Sequence, residues 1–487
     1  MGILSLLLWT PALGSLLLAG LPGDKPHWVR TAAQGVAAVT LLLSLWLLGH
    51  YDPHNAALQL TEYVAVNPTS GSAYSLGVDG LSMPLLVLCT LLTSVALLAS
   101  ASVDNQAKAY HLCLLLLEFG MLGVLLAQDW VLFYIFWEVT LFPLFFLISR
   151  WGGKRRHTAS LSFVFYTLTG SVFLLLSFLA LSQYHLAANG SLMTALGHSA
   201  KAMPVQQQIW VLLGFLLGFG IKVPIFPAHG WLPSAYIQAP VAVSILIAGV
   251  LLKMAAYGLL RVLPILPDAA RILQPLLVLL ALIGMLYGSL LAWRQSHLKA
   301  MTAYASISQM GMVLLGISGL NQAGADSALL QMVTHSLTVA ALLLLGEQLY
   351  QRTHNRHSQD YGNLVQAMPR WSALMAFSLF AAMGIPGTLG FVAEVQTLTA
   401  FYQQAGWLWL AVALSLLITA AYLIRTLSLL FISTQPDRAT WADLRPAEQL
   451  AAGVLVATLL ALGLQPNGLL DLSASTTAHW QQAFREP

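Results

Sequence analysis

Fourteen runs of roughly twenty apolar residues take up most of this chain, and they leave it few folds to choose from. They lie near 3–20, 31–49, 80–101, 110–127, 130–149, 159–183, 207–231, 240–263, 272–293, 299–319, 326–347, 371–402, 406–432 and 448–466. A backbone inside lipid meets no water, so each run must satisfy its own N–H and C=O groups, and runs of this length do so as helices. Only 8% of the residues are charged, against about 25% in a soluble domain. The expected fold class is an all-α polytopic membrane protein with about fourteen transmembrane helices. No loop is long enough for a soluble domain; the longest, 50–79, contains no Lys or Arg. The N-terminal run lacks the basic start of a signal peptide and is expected to be a first spanning helix.

Charge excludes further classes. A net charge of +3 with no long basic run gives no nucleic-acid surface. Cys89 and Cys113 sit in separate apolar runs without metal-site or haem-attachment spacing, so no cofactor or metal is expected in this chain. There is also no phosphate-binding or dinucleotide-binding glycine motif. Energy must therefore come from an ion gradient or from partner subunits. The loops on one side hold Lys25, Arg30, Lys108, Arg150, Lys154, Arg155, Arg156, Arg294, Lys299, Arg352, Arg356, Arg370, Arg438 and Arg445; the other side holds Lys201, Arg261, Arg271 and Arg485. Such an asymmetry puts the first group in the cytoplasm, with both termini on the opposite side.

Two spans are interrupted. The seventh contains FGIKVPIFPAHGWLPSAYIQ (219–238), where Pro224 and Pro227 must break or kink a helix. The twelfth is interrupted at Gly384–Gly390, with Glu394 just beyond. Breaks five spans apart suggest paired five-helix repeats at 110–263 and 272–432, between three N-terminal spans (1–109) and a last span with its tail (448–487). An odd repeat length forces inverted topology, and matched discontinuous helices point to a transport site.

Polar residues deep in apolar runs include Glu118, Glu138, Lys222, His229, Lys253, Gln309, His335, Glu394 and Arg425. Arg425 is equally well explained as a cation that snorkels to the membrane surface. Glu118 suits a neutral structural carboxylic acid, and His229 a neutral ring bracing the broken backbone, as readily as any proton role. Glu138, Lys222, Lys253 and Glu394 are harder to explain that way. Four ionisable groups on four spans would cost about 10 kcal/mol in lipid. They are expected to face one another or water, where a tuned lysine takes up and releases protons.

The segments WEVTLFPLFFLISRWGGKRR (137–156), KVPIFPAHGWLPSAYIQAPVAVSILIAGVLLKMAAYGLLR (222–261), MTAYASISQMGMVLLGI (301–317), HSLTVAALLLLGEQLY (335–350) and GIPGTLGFVAEV (384–395), with GVDGLS (77–82), resemble the antiporter-like membrane subunits of respiratory complex I. The resemblance covers most of 75–430 and is nearest the M-type branch, chain 4 in mitochondria: WEVTLFP is present, Glu394 stands where sibling subunits usually carry lysine, and little chain follows the last span. It implies a hydrated charged axis in which Glu138, Lys222, Lys253, His335 and Glu394 transfer protons. Glu118, His229 and Gln309 are accessory candidates. Gln309 stands where many relatives have histidine, and an amide can hold water without carrying a proton charge. Flavin, iron–sulfur clusters and quinone would belong to partner subunits. The partners implied are other membrane-arm subunits, including sibling antiporter-like chains, in a bacterial inner membrane. A subunit of a multi-subunit cation/proton antiporter, a membrane-bound hydrogenase or an ion-coupled inorganic-carbon uptake complex is the alternative.

Overall fold

The computed structural model describes residues 2–67, 71–184, 191–432 and 441–485; Arg438, counted above among the cytoplasmic charges, lies outside them. Thirteen helices among the described residues are long and apolar enough to cross a membrane, from Ile3–Gly20 to Pro446–Leu464. The twelfth span adds one more. It is split into Pro369–Ala382 and Leu389–Ala405, each half too short to span alone. The fourteen spans expected from the apolar runs are therefore present.

Contacts between the ends of the spans sort into two faces, as strict alternation requires. On one face Arg30 meets Asp104, the Gly153 N–H donates to the Gln238 carbonyl, and Arg352 reaches the Ala442 carbonyl. This is the face that carries most of the basic residues. On the other, Arg261 pairs with Asp79, the Trp130 N–H donates to the Ser191 carbonyl, and Trp480 donates to the Leu260 carbonyl.

This second face is more structured than its sequence suggests. The 50–79 loop contains an antiparallel hairpin, Gln59–Asn67 with Ser72–Val78, in register Val64↔Tyr74 and Glu62↔Leu76. Glu62 accepts from the N–H groups of Leu4 and Ser5, and so satisfies donors that the first helix leaves open at its start. The segment after the last span is also not a loose tail. Asn467–Gln482 is a helix. It lies across this face, with Thr477 and Ser473 bonded to Asp326 and the Ser475 hydroxyl to the Pro53 carbonyl.

Burial separates the spans by role. The eighth (Val241–Ile265) and eleventh (Gln322–Thr353) are enclosed by protein, whereas the second, sixth and fourteenth present most of their apolar surface outward, as lipid-facing helices do. The ninth and tenth, Pro267–Arg294 and Leu298–Ser318, approach backbone to backbone at small residues. A Cβ on Gly288 would lie 2.6 Å from the Ser308 nitrogen, and one on Gly311 would lie 2.8 Å from the Met285 nitrogen.

Candidate functional site

The broken seventh span places the first cluster. Its opening helix, Val205–Lys222, stops where Pro224 and Pro227 supply no N–H, and the chain resumes as a helix at Trp231–Gln238. The freed backbone is satisfied inside the protein. The Ile225 N–H reaches back five residues to the Gly220 carbonyl at 2.8 Å, and Trp231 Nε1 donates to the Ile221 carbonyl at 2.8 Å. Lys222 therefore ends a helix in the protein interior. Its Nζ lies 3.6 Å from the centre of the Trp137 ring, whose Nε1 donates to Ser171. A desolvated ammonium over an indole gains about 2 kcal/mol or more.

Glu138 follows Trp137 in the fifth span, Trp130–Trp151. Among the described residues no ion pair within 4.0 Å joins it to Lys222, and its Oε1 is buried without a partner. The Trp137 face, which the sequence alone does not single out, is thus the group that Lys222 touches. A tryptophan beside an intramembrane acid was the available signal.

The eighth span places the second cluster. Five of its residues, Ile247–Leu251, form a π-helical turn, a widening often found at functional sites. Just beyond it, Lys253 Nζ donates to the Ala248 carbonyl at 2.6 Å and meets His335 Nδ1 of the eleventh span at 2.5 Å. Ser336 donates to the Gly249 carbonyl at 2.6 Å and fixes the two spans in register. Lys253 is 1% exposed, so this contact replaces its water.

Among the described residues His335 Nε2 has no protein partner, and His335 lines a cavity of about 40 Å³ together with Thr302, Gln309, Gln331, Thr334 and Glu394. That volume, with these polar groups set in an otherwise apolar wall, suits a few waters. The unpartnered hydroxyls of Thr334 and Thr338 and the Gln331 Oε1 offer them bonds. Gln309 accepts from the Gln331 amide in the cavity wall.

Glu394 reaches this cavity because of the second break. Gly384 and Gly387 adopt φ of +64° and +95°, values that other residues rarely hold. The Ile385 N–H closes on the Phe380 carbonyl, the same five-residue return seen at Ile225. The Glu394 carboxylate packs where a side chain on Gly384 would otherwise lie.

Lys222 precedes its break and Glu394 follows its own. The two spans cross the membrane in opposite directions. The other expected residues are scattered. Glu118 is fully buried with both oxygens unpartnered among the described residues, and His229 sits in an aromatic cleft, stacked on Phe226 and edge-on to Tyr287. Arg425 is exposed near the end of its span and donates to the Trp293 carbonyl.

The family profile described as "NADH:quinone oxidoreductase/Mrp antiporter, TM" matches residues 127–419. The chain belongs to this antiporter family. It is 38% identical over 474 residues to a protein named NAD(P)H-quinone oxidoreductase chain 4 from Picosynechococcus sp., covering 94% of this chain and 87% of that one. It is 34% identical to NADH-quinone oxidoreductase subunit M of Rhodobacter capsulatus, covering 99% and 97%. Among solved structures, a chain of respiratory complex I from Thermus thermophilus superposes with a TM-score of 0.90 at 28% identity, over 99% of both chains. A chain of the Mrp complex from Dietzia sp. shares the antiporter-family fold at a TM-score of 0.81 and 22% identity, over 99% of this chain and 100% of that one.

Proposed function

We propose that this chain is the M-type, proton-translocating membrane subunit of a complex I-type NADH:quinone oxidoreductase. The observation that carries the reading is the direct Lys253–His335 contact, opening on a cavity that Glu394 shares, inside a membrane-spanning helix bundle. Greater identity to quinone-oxidoreductase chains than to the Mrp chain supports the redox-driven parent over a free-standing cation antiporter.

The partners are other membrane-arm subunits, sibling antiporter-like chains among them. Flavin, iron–sulfur clusters and quinone reside in partner subunits. The complex sits in a bacterial plasma membrane, with the basic face in the cytoplasm and both termini outside.

Charge changes in a neighbouring subunit shift the balance between Glu138 and the Trp137-held Lys222. Lys222 then releases its proton toward Lys253. The Lys253 ammonium gives a proton to His335 Nδ1, and the imidazole passes one from Nε2 to cavity water. Glu394 receives it at the break and releases it toward the hairpin face or the next subunit.

Lys222→Ala and Glu138→Ala are expected to abolish most NADH-driven proton pumping in an assembled complex reconstituted into vesicles. Wild-type pumping by both variants would refute this axis.

A further inference from the structure

The second-half cavity has an approach of its own from the basic face. On that face, a cavity of about 250 Å³ lies between the 100–103 and 151–153 segments and the turn at 238–240. Lys299, Glu347 and Arg356 form its inner wall. Lys299 and Arg356 also line a second cavity of about 10 Å³, together with Thr302 and Leu342. Thr302 and Leu342 in turn line the central cavity that holds His335 and Glu394. Three cavities thus follow one another, each sharing wall residues with the next. The middle one is large enough for about one water.

The charged cluster at the first junction is not arranged as a simple brace. Glu347 Oε2 lies 3.2 Å from Lys299 Nζ and 3.3 Å from Arg356 Nη2. It is nonetheless buried without a properly angled hydrogen bond. Lys299 spends a donor on the Ala239 carbonyl, and Arg356 stacks on the Tyr350 ring at 3.8 Å. Both cations are therefore shared with other groups, and one carboxylate oxygen meets the two of them without an aligned hydrogen bond. Purely structural ion pairs gain by filling such an acceptor, since an unmet buried one is costly.

We propose that Lys299, Glu347 and Arg356 gate a proton inlet from the basic face directly into the central cavity of the second half. The inference rests on the proton-translocating reading and adds the place where this half loads. Glu347 Oε2 takes a proton from a hydronium ion in the outer cavity; an O–H bond forms on the carboxylate as one breaks in the hydronium, and water is left. The neutral acid attracts Lys299 and Arg356 less, which loosens the wall. It then gives the proton to the water beside Thr302, regenerating the carboxylate, and the proton passes into the cavity of His335 and Glu394. On this scheme His335 and Glu394 are supplied without every proton crossing from Lys222.

The test uses the whole complex in proteoliposomes, with NADH-driven pumping and turnover measured in H₂O and D₂O. Thr302→Val removes the hydroxyl at the constriction without touching the ion cluster. It is expected to assemble, to slow pumping at least about fivefold and to raise the solvent isotope effect, because proton supply becomes limiting. Glu347→Gln should do the same, and Glu347→Asp should restore most of the rate. Wild-type rate and isotope effect in Thr302→Val would overturn the inlet; so would a slow Glu347→Gln with an unchanged isotope effect, which marks a brace at the seam. If Glu347→Gln fails to assemble, Thr302→Val decides alone. Lys222→Ala and Glu138→Ala run in parallel separate the two claims: their inactivity beside normal Thr302→Val refutes the inlet only, whereas wild-type pumping by both, beside a slow Thr302→Val, refutes the Lys222 axis and leaves the inlet standing.

Discussion

Replacing Trp137 by leucine tests what holds the Lys222 ammonium in place. Lys222 is 3% exposed and its Nζ is 3.6 Å from the indole centre, so the contact is desolvated and belongs at the upper end of cation–π strengths, about 2 kcal/mol. Leucine keeps an apolar side chain but offers no quadrupole. The protonated lysine should lose nearly all of that stabilisation, a factor of about 30 in its balance with the neutral amine at about 1.4 kcal/mol per decade. Proton loading of Lys222 becomes harder by that factor, and NADH-driven pumping in vesicles should fall by up to as much. Trp137→Phe keeps an aromatic face with a weaker quadrupole and should lie between. Ser171→Ala removes only the partner of the indole N–H and should change pumping less than either. Normal pumping by an assembled Trp137→Leu complex would refute the argument, as would a Trp137→Phe variant no better than Trp137→Leu.

Gly384→Ala forces a Cβ into a φ of +64° and into the space of the Glu394 carboxylate, so it should cost at least about 1–3 kcal/mol of stability and pumping as well. Thermal unfolding in detergent, set beside vesicle pumping, checks both. Asp79→Asn leaves the guanidinium of Arg261 buried without its anion and should destabilise the protein by about 3–5 kcal/mol, read from the same unfolding assay. Burial alone would raise the Asp79 carboxyl, but Arg261 and the Ser82 and Leu81 N–H groups outweigh it and hold it below the usual range. Its contribution is therefore complete above about pH 3.9 and lost as pH falls through the depressed value. His297 caps the tenth span, and burial, then the charges of Arg356, His357 and Lys299, lowers its pKa to about 4. The folded protein prefers the neutral ring, so stability should be full above about pH 6.5 and erode as pH falls from there to about 4. His297→Asn keeps a capping oxygen and should flatten that decline in the unfolding midpoint.

The parts legible in the sequence were those with a one-dimensional signature. Apolar run length gave the spans, proline and glycine gave both breaks, and an ionisable residue inside lipid announced Lys222, Lys253 and Glu394. The hairpin at 59–78 falls in a stretch that apolar length marks as a loop, although QLTEYVAVN carries the alternation and β-branched residues of a strand. Apolar length dominates the reading of a membrane chain and hides a nine-residue strand between spans. The helix at Asn467–Gln482 is rich in Ser and Thr, poor formers whose cost is met by bonds to Asp326 and Pro53 that local sequence does not show. Lys299 and Glu347 read as ordinary charges in the sequence, because each lies near a span end where a charge needs no explanation. Only the packing of three segments makes them one cluster.

The π-helical turn at Ile247–Leu251 amounts to one residue more than an α-helix would need over that stretch. Each residue turns an α-helix by about 100°, and the wider turn takes up the extra one locally, so the helix beyond keeps the azimuth it would have without it. Excising Gly249 would let the turn relax to α-helix with Lys253 still directed toward His335, while removing the backbone carbonyl that Ser336 of the eleventh span holds. The grip between these two spans is thus encoded partly as a count of residues, and a deletion there would loosen their register without altering a single ionisable group.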